Sequence, residues 1–266
     1  MNATAVHPEA SDLLSVGAMS PKRVMRAYFI EAKYESLRML RMPAFAIPFL
    51  LLPVGLYLLF AVLLFGAQIG KDPTGALFTF MGFSILGVIG PGMFGFGVTV
   101  AMEREQGLLK LKRALPMPSA ASLVAKMLMS MLFVAIVMAT MVAASPLGHL
   151  QLTVGQLLSV SLINIVGALP FCALGFLIGA LASGKAAPAF VNLLYLPMIY
   201  LSGILFPLPK SMQWITLISP AYHLDQLGLA SMGMPSVGSV AVHVLVLGVV
   251  TLSFTMLALR RLAQVG

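Results

Sequence analysis

The sequence predicts an all-α polytopic membrane protein, and three observations carry that prediction. Of its 266 residues, 60% are hydrophobic and only 9% are charged, where a soluble domain carries roughly a quarter charged residues. Its mean hydropathy is +1.01. Asp, Glu, Lys and Arg are absent over 73–102, 127–184, 186–209 and 226–259, and a spanning helix needs about 20 apolar residues. The second and longest run has room for more than one element. We place six spans at about 44–65, 76–101, 120–145, 156–182, 187–206 and 240–259.

Residues 1–19 have no pattern and read as a flexible cytosolic tail, not a signal peptide, because no apolar core follows a basic start there. Residues 20–266 form one transmembrane domain. Ser20-Pro21 opens a helix with a hydroxyl cap and a proline that loses no needed N–H. Up to Met42 this helix is basic and amphipathic. Met25, Phe29, Ala32, Met39 and Leu40 fall near one stripe, with Lys22, Arg26, Lys33 and Arg41 largely away from it. Such a helix lies along the headgroups with its cations facing anionic lipid; a solvated helix of a cytosolic subdomain is the alternative. Pro48 and Pro53 are expected to bend the first span.

Orientation follows from the bias of Lys and Arg to the inner side. With the N-terminus inside, 14 of the 16 basic residues fall on inner positions, leaving Lys71 and Lys210 outside. Both termini are then cytosolic. The same placement turns the net charge of +8 toward the inner leaflet and away from a nucleic-acid reading.

Several motifs imitate chemistry. Gly179 to Ala186 has phosphate-loop spacing, but Ala186 supplies no hydroxyl for magnesium and no strand precedes the run. Gly90-Pro-Gly92-Met-Phe-Gly95 copies a dinucleotide fingerprint inside an apolar run, where it reads as a kinked helix whose glycines admit close neighbours. Gly175-Phe-Leu-Ile-Gly179 is a small-residue face for helix packing, internal or between copies. His7, His149, His223 and His243 have no metal-ligand spacing, and His243 reads as a helix-packing donor. Cys172 reads as a small buried hydrophobe. We assign no catalytic residue and no metal.

The connection after the fifth span, about 207–230, is too apolar for a free loop and too broken for a span. Met212 to Ile218 and Tyr222 to Ala230 read as short helices separated by Pro220, with Trp214 at interface depth. We expect this segment to dip partway into the outer leaflet. Asp225, the one acid between Glu105 and the C-terminus, reads as a capping or gate-stabilising contact, with substrate binding as the alternative.

The charged island between the second and third spans completes the pattern. It reads Glu103-Arg-Glu-Gln-Gly107-Leu-Leu-Lys-Leu-Lys-Arg113-Ala-Leu-Pro116-Met-Pro118. This acidic-basic-glycine run ending in prolines resembles the membrane subunits of the type-2 ABC exporter family. Leu201-Ser-Gly203 through Phe206-Pro207, with Trp214, Ser219-Pro220, His223 and Asp225 downstream, is similar to that family, as is the six-span layout behind an amphipathic helix. The likeness covers roughly 21–261.

The resemblance implies a permease that pairs with a second copy, as a homodimer, and with two copies of a separate ABC-type ATPase that holds the ATP and magnesium; this chain then needs no cofactor. It implies a coupling helix over about 102–115, with Glu103, Arg104, Glu105, Gly107, Leu108, Leu111 and Arg113 meeting the ATPase. Leu108, Leu111 and Leu115 form one helical stripe. Gly107 costs roughly 1 kcal/mol in a helix interior, for which close backbone approach is a reason. The resemblance also implies an outer gate of Gly203, Pro207, Trp214, Pro220, His223 and Asp225, and a bacterial inner-membrane location. Tyr57, Ser161, Asn164, Asn192 and Tyr195 are candidates for the substrate path, or for interhelical hydrogen bonds. Few charges in the spans favour a hydrophobic or amphipathic substrate, drug-like or lipid-like. A lipid-linked glycan or lipid exporter and a non-transporting scaffold or sensor partner remain alternatives. An intramembrane enzyme would need paired ionisable residues in the spans, which the charge-free runs lack.

Overall fold

A computed structural model of the chain describes residues 20–66, 73–114, 118, 120–148, 150, 152–205 and 208–265. The expected tail over 1–19, Lys71, Leu115, Pro116, His149, Phe206 and Pro207 lie outside the described residues. The described residues are helical, with no strand among them. Among the described residues, five helices are long and apolar enough to cross a membrane: Pro43–Leu64, Thr74–Glu105, Ala121–Gly148, Val154–Leu181 and Val240–Gln264. The chain is an integral multi-pass helical membrane protein.

Helix α1 (Pro21–Leu40) begins at the expected proline, but the Ser20 hydroxyl makes no cap bond; its carbonyl instead accepts from Arg23 and Val24. Helix α2 (Pro43–Leu58) runs through Pro48 and Pro53 and continues as a π-helical stretch, Leu59–Leu64. The second span is α3 (Pro73–Gly90), a π-helical stretch Pro91–Val98, and α4 (Thr99–Glu105). Pro91 has no N–H to give the preceding turn, and the wider π turn accommodates it. Ser130 donates to the Pro91 carbonyl at 3.0 Å.

Helix α5 (Leu108–Ala114) follows a two-residue turn, and α6 (Ala121–Ala144) leads into a 3₁₀ turn, Ser145–Gly148. Helix α7 (Val154–Val166) opens with a full capping box between Thr153 and Gln156. It breaks at Gly167 and resumes as α8 (Ala168–Leu181). Helix α9 (Ala187–Leu201) has 15 residues, about 22 Å of rise, against a hydrocarbon core of about 30 Å. The expected fifth span over 187–206 is therefore shorter than predicted. It stops because Gly203 takes a left-handed φ of +72°, a helix-ending conformation open to glycine at little cost.

Beyond it, a 3₁₀ helix (Lys210–Ile218) and α10 (Pro220–Ser231) match the two short helices read from the sequence. The last helix, α11 (Val240–Val265), runs past the expected end at residue 259, through Arg260 and Arg261.

Glycine brings the second and fourth spans into backbone contact. A Cβ on Gly97 would lie 2.6 Å from the Gly175 carbonyl oxygen, and one on Gly179 would lie 2.6 Å from that of Gly97. The Gly175/Gly179 face is thus spent on packing inside the chain. The Gly90–Gly95 run likewise admits neighbours, with Phe171 against Gly92 and Phe45 against Gly95. Around this crossing lies the main core, which includes Phe80, Ile85, Ile89, Met93 and Phe171, all at most 0% exposed. Helix α10 packs against α3, α7 and α11 and buries Leu224 and Leu229.

Candidate functional site

The charged island folds into a joint, not the single helix expected over 102–115. Gly107 sits at φ +72° between α4 and α5, and nothing lies within 4 Å of where its Cβ would be. The glycine is there for its backbone conformation, so close approach is not its reason. Its N–H reaches the Arg104 carbonyl at 3.1 Å.

Each residue of Glu103-Arg104-Glu105 is held by a different part of this chain. Glu103, 3% exposed, meets Lys126 Nζ at 2.8 Å, Arg38 Nη1 at 3.1 Å and Lys112 Nζ at 3.7 Å. Arg104 turns the other way and donates to the carbonyls of Ala180 and Ala182, the latter at 2.6 Å. These are carbonyls at the end of α8 that the helix leaves without partners, so the arginine caps it. Glu105 accepts from the Gly184 N–H at 2.6 Å, the backbone group of the phosphate-loop look-alike. The expected ATPase contacts Glu103, Arg104 and Glu105 are therefore engaged within the chain. Leu108 and Leu111 are left exposed, Leu111 at 61%; the Arg113 side chain lies outside the described residues.

The centre of this site lies just outside the charge-free runs. Lys126, counted from the sequence as an inner-side anchor, is 0% exposed and bonds Glu35 at 2.5 Å as well as Glu103. Arg38 bonds Glu35 at 2.6 Å, and Lys112 bonds Glu31 at 2.9 Å and Ser122 at 3.0 Å. Three acids and three bases from α1, α4, α5 and α6 thus form one network. Burial works against the charge on Lys112, but its bond to Glu31 and the fields of Glu103, Glu31 and Glu35 outweigh it and hold the ammonium above its ordinary range.

The apolar stripe of α1 divides as a result. Met39 is buried with Glu35 and Ser36 against α6, while Met25 and Phe29 are more than 70% exposed. The readable signal was the Glu31/Glu35 pair on one face of α1 and a lone lysine inside the expected third span.

The proposed path residues are not gathered into one site. Tyr57 donates to the Ser145 carbonyl at 3.3 Å, Ser161 to Leu157 at 2.7 Å, and Asn164 to Ser84 at 3.5 Å. Asn192 is exposed on α9, one turn before Tyr195, whose ring meets the Phe94 ring edge-on at 5.6 Å.

At the opposite end, the gate residues share one cluster in part. Gly203 ends α9, Trp214 is exposed on the 3₁₀ helix, and Pro220 starts α10. His223 and Asp225 are buried. Asp225 accepts from the Gln226 amide at 3.1 Å, and burial pushes its carboxyl up to about 7. A carboxyl raised in the fold stabilises below its ordinary value of 3.8 and loses that stability as pH rises through about 7. Asp225→Asn is expected to remove the part of the alkaline decline in thermal midpoint that is centred near pH 7. An unchanged decline would refute the assignment.

The comparisons agree with this architecture. Residues 26–233 match the family model of the ABC-2 type transporter. The chain is 26% identical over 193 residues, 71% of its length and 78% of the relative's, to a Bacillus subtilis (strain 168) protein named "Putative transport permease YvfS". A family match that runs from the amphipathic helix through the charged joint to the end of α10 shows that this chain belongs to the ABC-2 type transporter membrane family.

Proposed function

We propose that the chain is the permease subunit of an ATP-driven exporter, with both termini in the cytosol and the α4–α5 joint seated on a separate ATPase that holds ATP and magnesium. The observation that carries this reading is the joint itself. It is fixed to α1, α6 and α8 by ionic and capping bonds, while Leu108 and Leu111 stay uncovered. A lever needs rigid attachment on one side and a free contact face on the other, and this segment has both.

A second copy completes the path in this reading. Helix α9 exposes Phe190, Leu193, Leu196 and Tyr200 around Asn192, and an amide in hydrocarbon is best satisfied by a neighbouring helix. The scarcity of charge in the spans supports a hydrophobic or amphipathic substrate. A lipid exporter is the second reading, favoured by an apolar groove of about 530 Å³ among α7, α8, α10 and α11, lined by Leu162, Val166, Leu227, Val244 and Leu252.

Leu111→Glu is the test. It places a charge on the exposed contact without touching the ionic network. Co-purification with the ATPase is expected to fall at least about tenfold, the equivalent of about 1.4 kcal/mol, with the chain's thermal midpoint unchanged. Full association and full stimulation of ATP hydrolysis in the variant would sink the coupling assignment. An ATPase whose turnover ignores the wild-type subunit would favour the scaffold alternative.

A further inference from the structure

Two buried histidines meet at the end of the molecule opposite the charged joint. His223 lies on α10 and His243 in the first turn of α11, each 3% exposed. Their Nδ1 atoms are 2.8 Å apart. His223 Nε2 lies 2.9 Å from the Leu217 carbonyl oxygen, and His243 Nε2 lies 2.9 Å from that of Val237.

Counting hydrogens decides what this geometry holds. A carbonyl oxygen only accepts, so each Nε2 must carry a hydrogen. A neutral imidazole has one N–H, so both Nδ1 atoms would then be bare, and two lone pairs would face each other. Moving one hydrogen from Nε2 to Nδ1 repairs that contact but turns a lone pair onto a carbonyl. Two hydrogens leave one of the three contacts repulsive, and three satisfy all of them.

We propose that His223 and His243 form a one-proton binding site, in which a shared Nδ1–H···Nδ1 proton clasps the segment before α11 to α11 itself. The site is built on both sides. The 3₁₀ helix supplies Leu217, and the loop before α11 supplies Val237, whose own N–H donates to Gln226 Oε1 at 2.7 Å. Gly238, at φ +91°, bends that loop beside the ring; a Cβ there would lie 3.4 Å from His243 Nε2.

The other titratable groups around the pair are few. The Tyr222 ring stands edge-on to both imidazoles, with centroids 5.5 and 6.2 Å away. Asp225 lies two residues along α10, and Lys210 is exposed on the 3₁₀ helix. Helices α3 and α7, which pack against α10, carry no Asp, Glu, Lys, Arg or His.

The sign follows from the hydrogen count. The three-hydrogen state forms as pH falls, and the clasp is lost as pH rises. A second added proton is resisted, because a fourth hydrogen would set two Nδ1–H groups face to face. Burial lowers the proton affinity of His223 for the first proton too, as does the charge of His243, and the Leu217 carbonyl opposes them. The site takes one proton and refuses the next.

The test uses the full chain in detergent micelles with ¹⁵N-labelled histidine rings, carrying His7→Gln and His149→Gln so that only the pair reports. Nuclear magnetic resonance is expected to show both rings with Nε2–H and a single proton uptake that shifts both Nδ1 resonances together. Two independent uptakes, or one ring held as the Nδ1–H tautomer throughout, would overturn the proposal. In an Asp225→Asn background, which removes the competing carboxyl, the thermal midpoint should fall by about 2–4 °C from pH 6 to 8. His243→Gln should abolish that fall, and a fall that persists in it counts against the shared proton.

Discussion

Lys126→Met is expected to cost the chain about 3–5 kcal/mol, the usual loss when one partner of a buried ion pair is removed. The ammonium is 0% exposed and bonds Glu35 and Glu103 at 2.5 and 2.8 Å. Methionine fills much of the same volume but leaves two buried carboxylates facing each other. Arg38, which bonds both at 2.6 and 3.1 Å, softens the loss and places the result toward the lower end. Thermal and denaturant unfolding in detergent measure it. The triple change Lys126→Met, Glu35→Gln and Glu103→Gln should recover much of the stability, because removing a whole buried network is often close to neutral. A single-variant loss below about 1 kcal/mol, the range of surface pairs, would contradict a buried network.

Gly175→Val is expected to prevent the native packing of the second and fourth spans. Its Cβ would sit 2.8 Å from the carbonyl oxygens of Gly92 and Met93 and 2.9 Å from Met93 Cα. Those atoms are backbone within a continuous helix, so no side chain can swing aside. Overpacking a well-filled core costs about 1–3 kcal/mol when neighbours can adjust; here the helices must separate, and the loss should exceed that range. Little folded protein should survive extraction. Gly55→Ala is the control, since nothing lies within 4 Å of that position. It should be neutral or gain up to about 1 kcal/mol from helix propensity. Equal behaviour of the two variants would show that the crossing tolerates separation.

Much of the architecture was legible because it is written in local composition. The charge-free runs pointed to long apolar helices, five of which the described residues contain, and Pro220 marked the break that starts α10. What stayed hidden depends on distance or on conformation. Lys126 and Glu35 are 91 positions apart, and no periodicity joins them; only the packing of α1 on α6 does. Gly107 lies in a run that otherwise favours helix, and the turn there is decided by one positive φ. The acidic-basic run is visible in the sequence, but the pairing of Glu103, Arg104 and Glu105 within the chain and the exposure of Leu108 and Leu111 are not. The histidine pair escaped because its partners lie 20 residues apart on separate elements, outside any metal-like spacing.

The ionic network has an electrical consequence. Glu31, Glu35 and Glu103 balance Arg38, Lys112 and Lys126, so the six groups of the network carry no net charge among themselves. Moving one elementary charge through 100 mV of membrane potential takes about 2.3 kcal/mol. The six network groups, moving together, add none of that work.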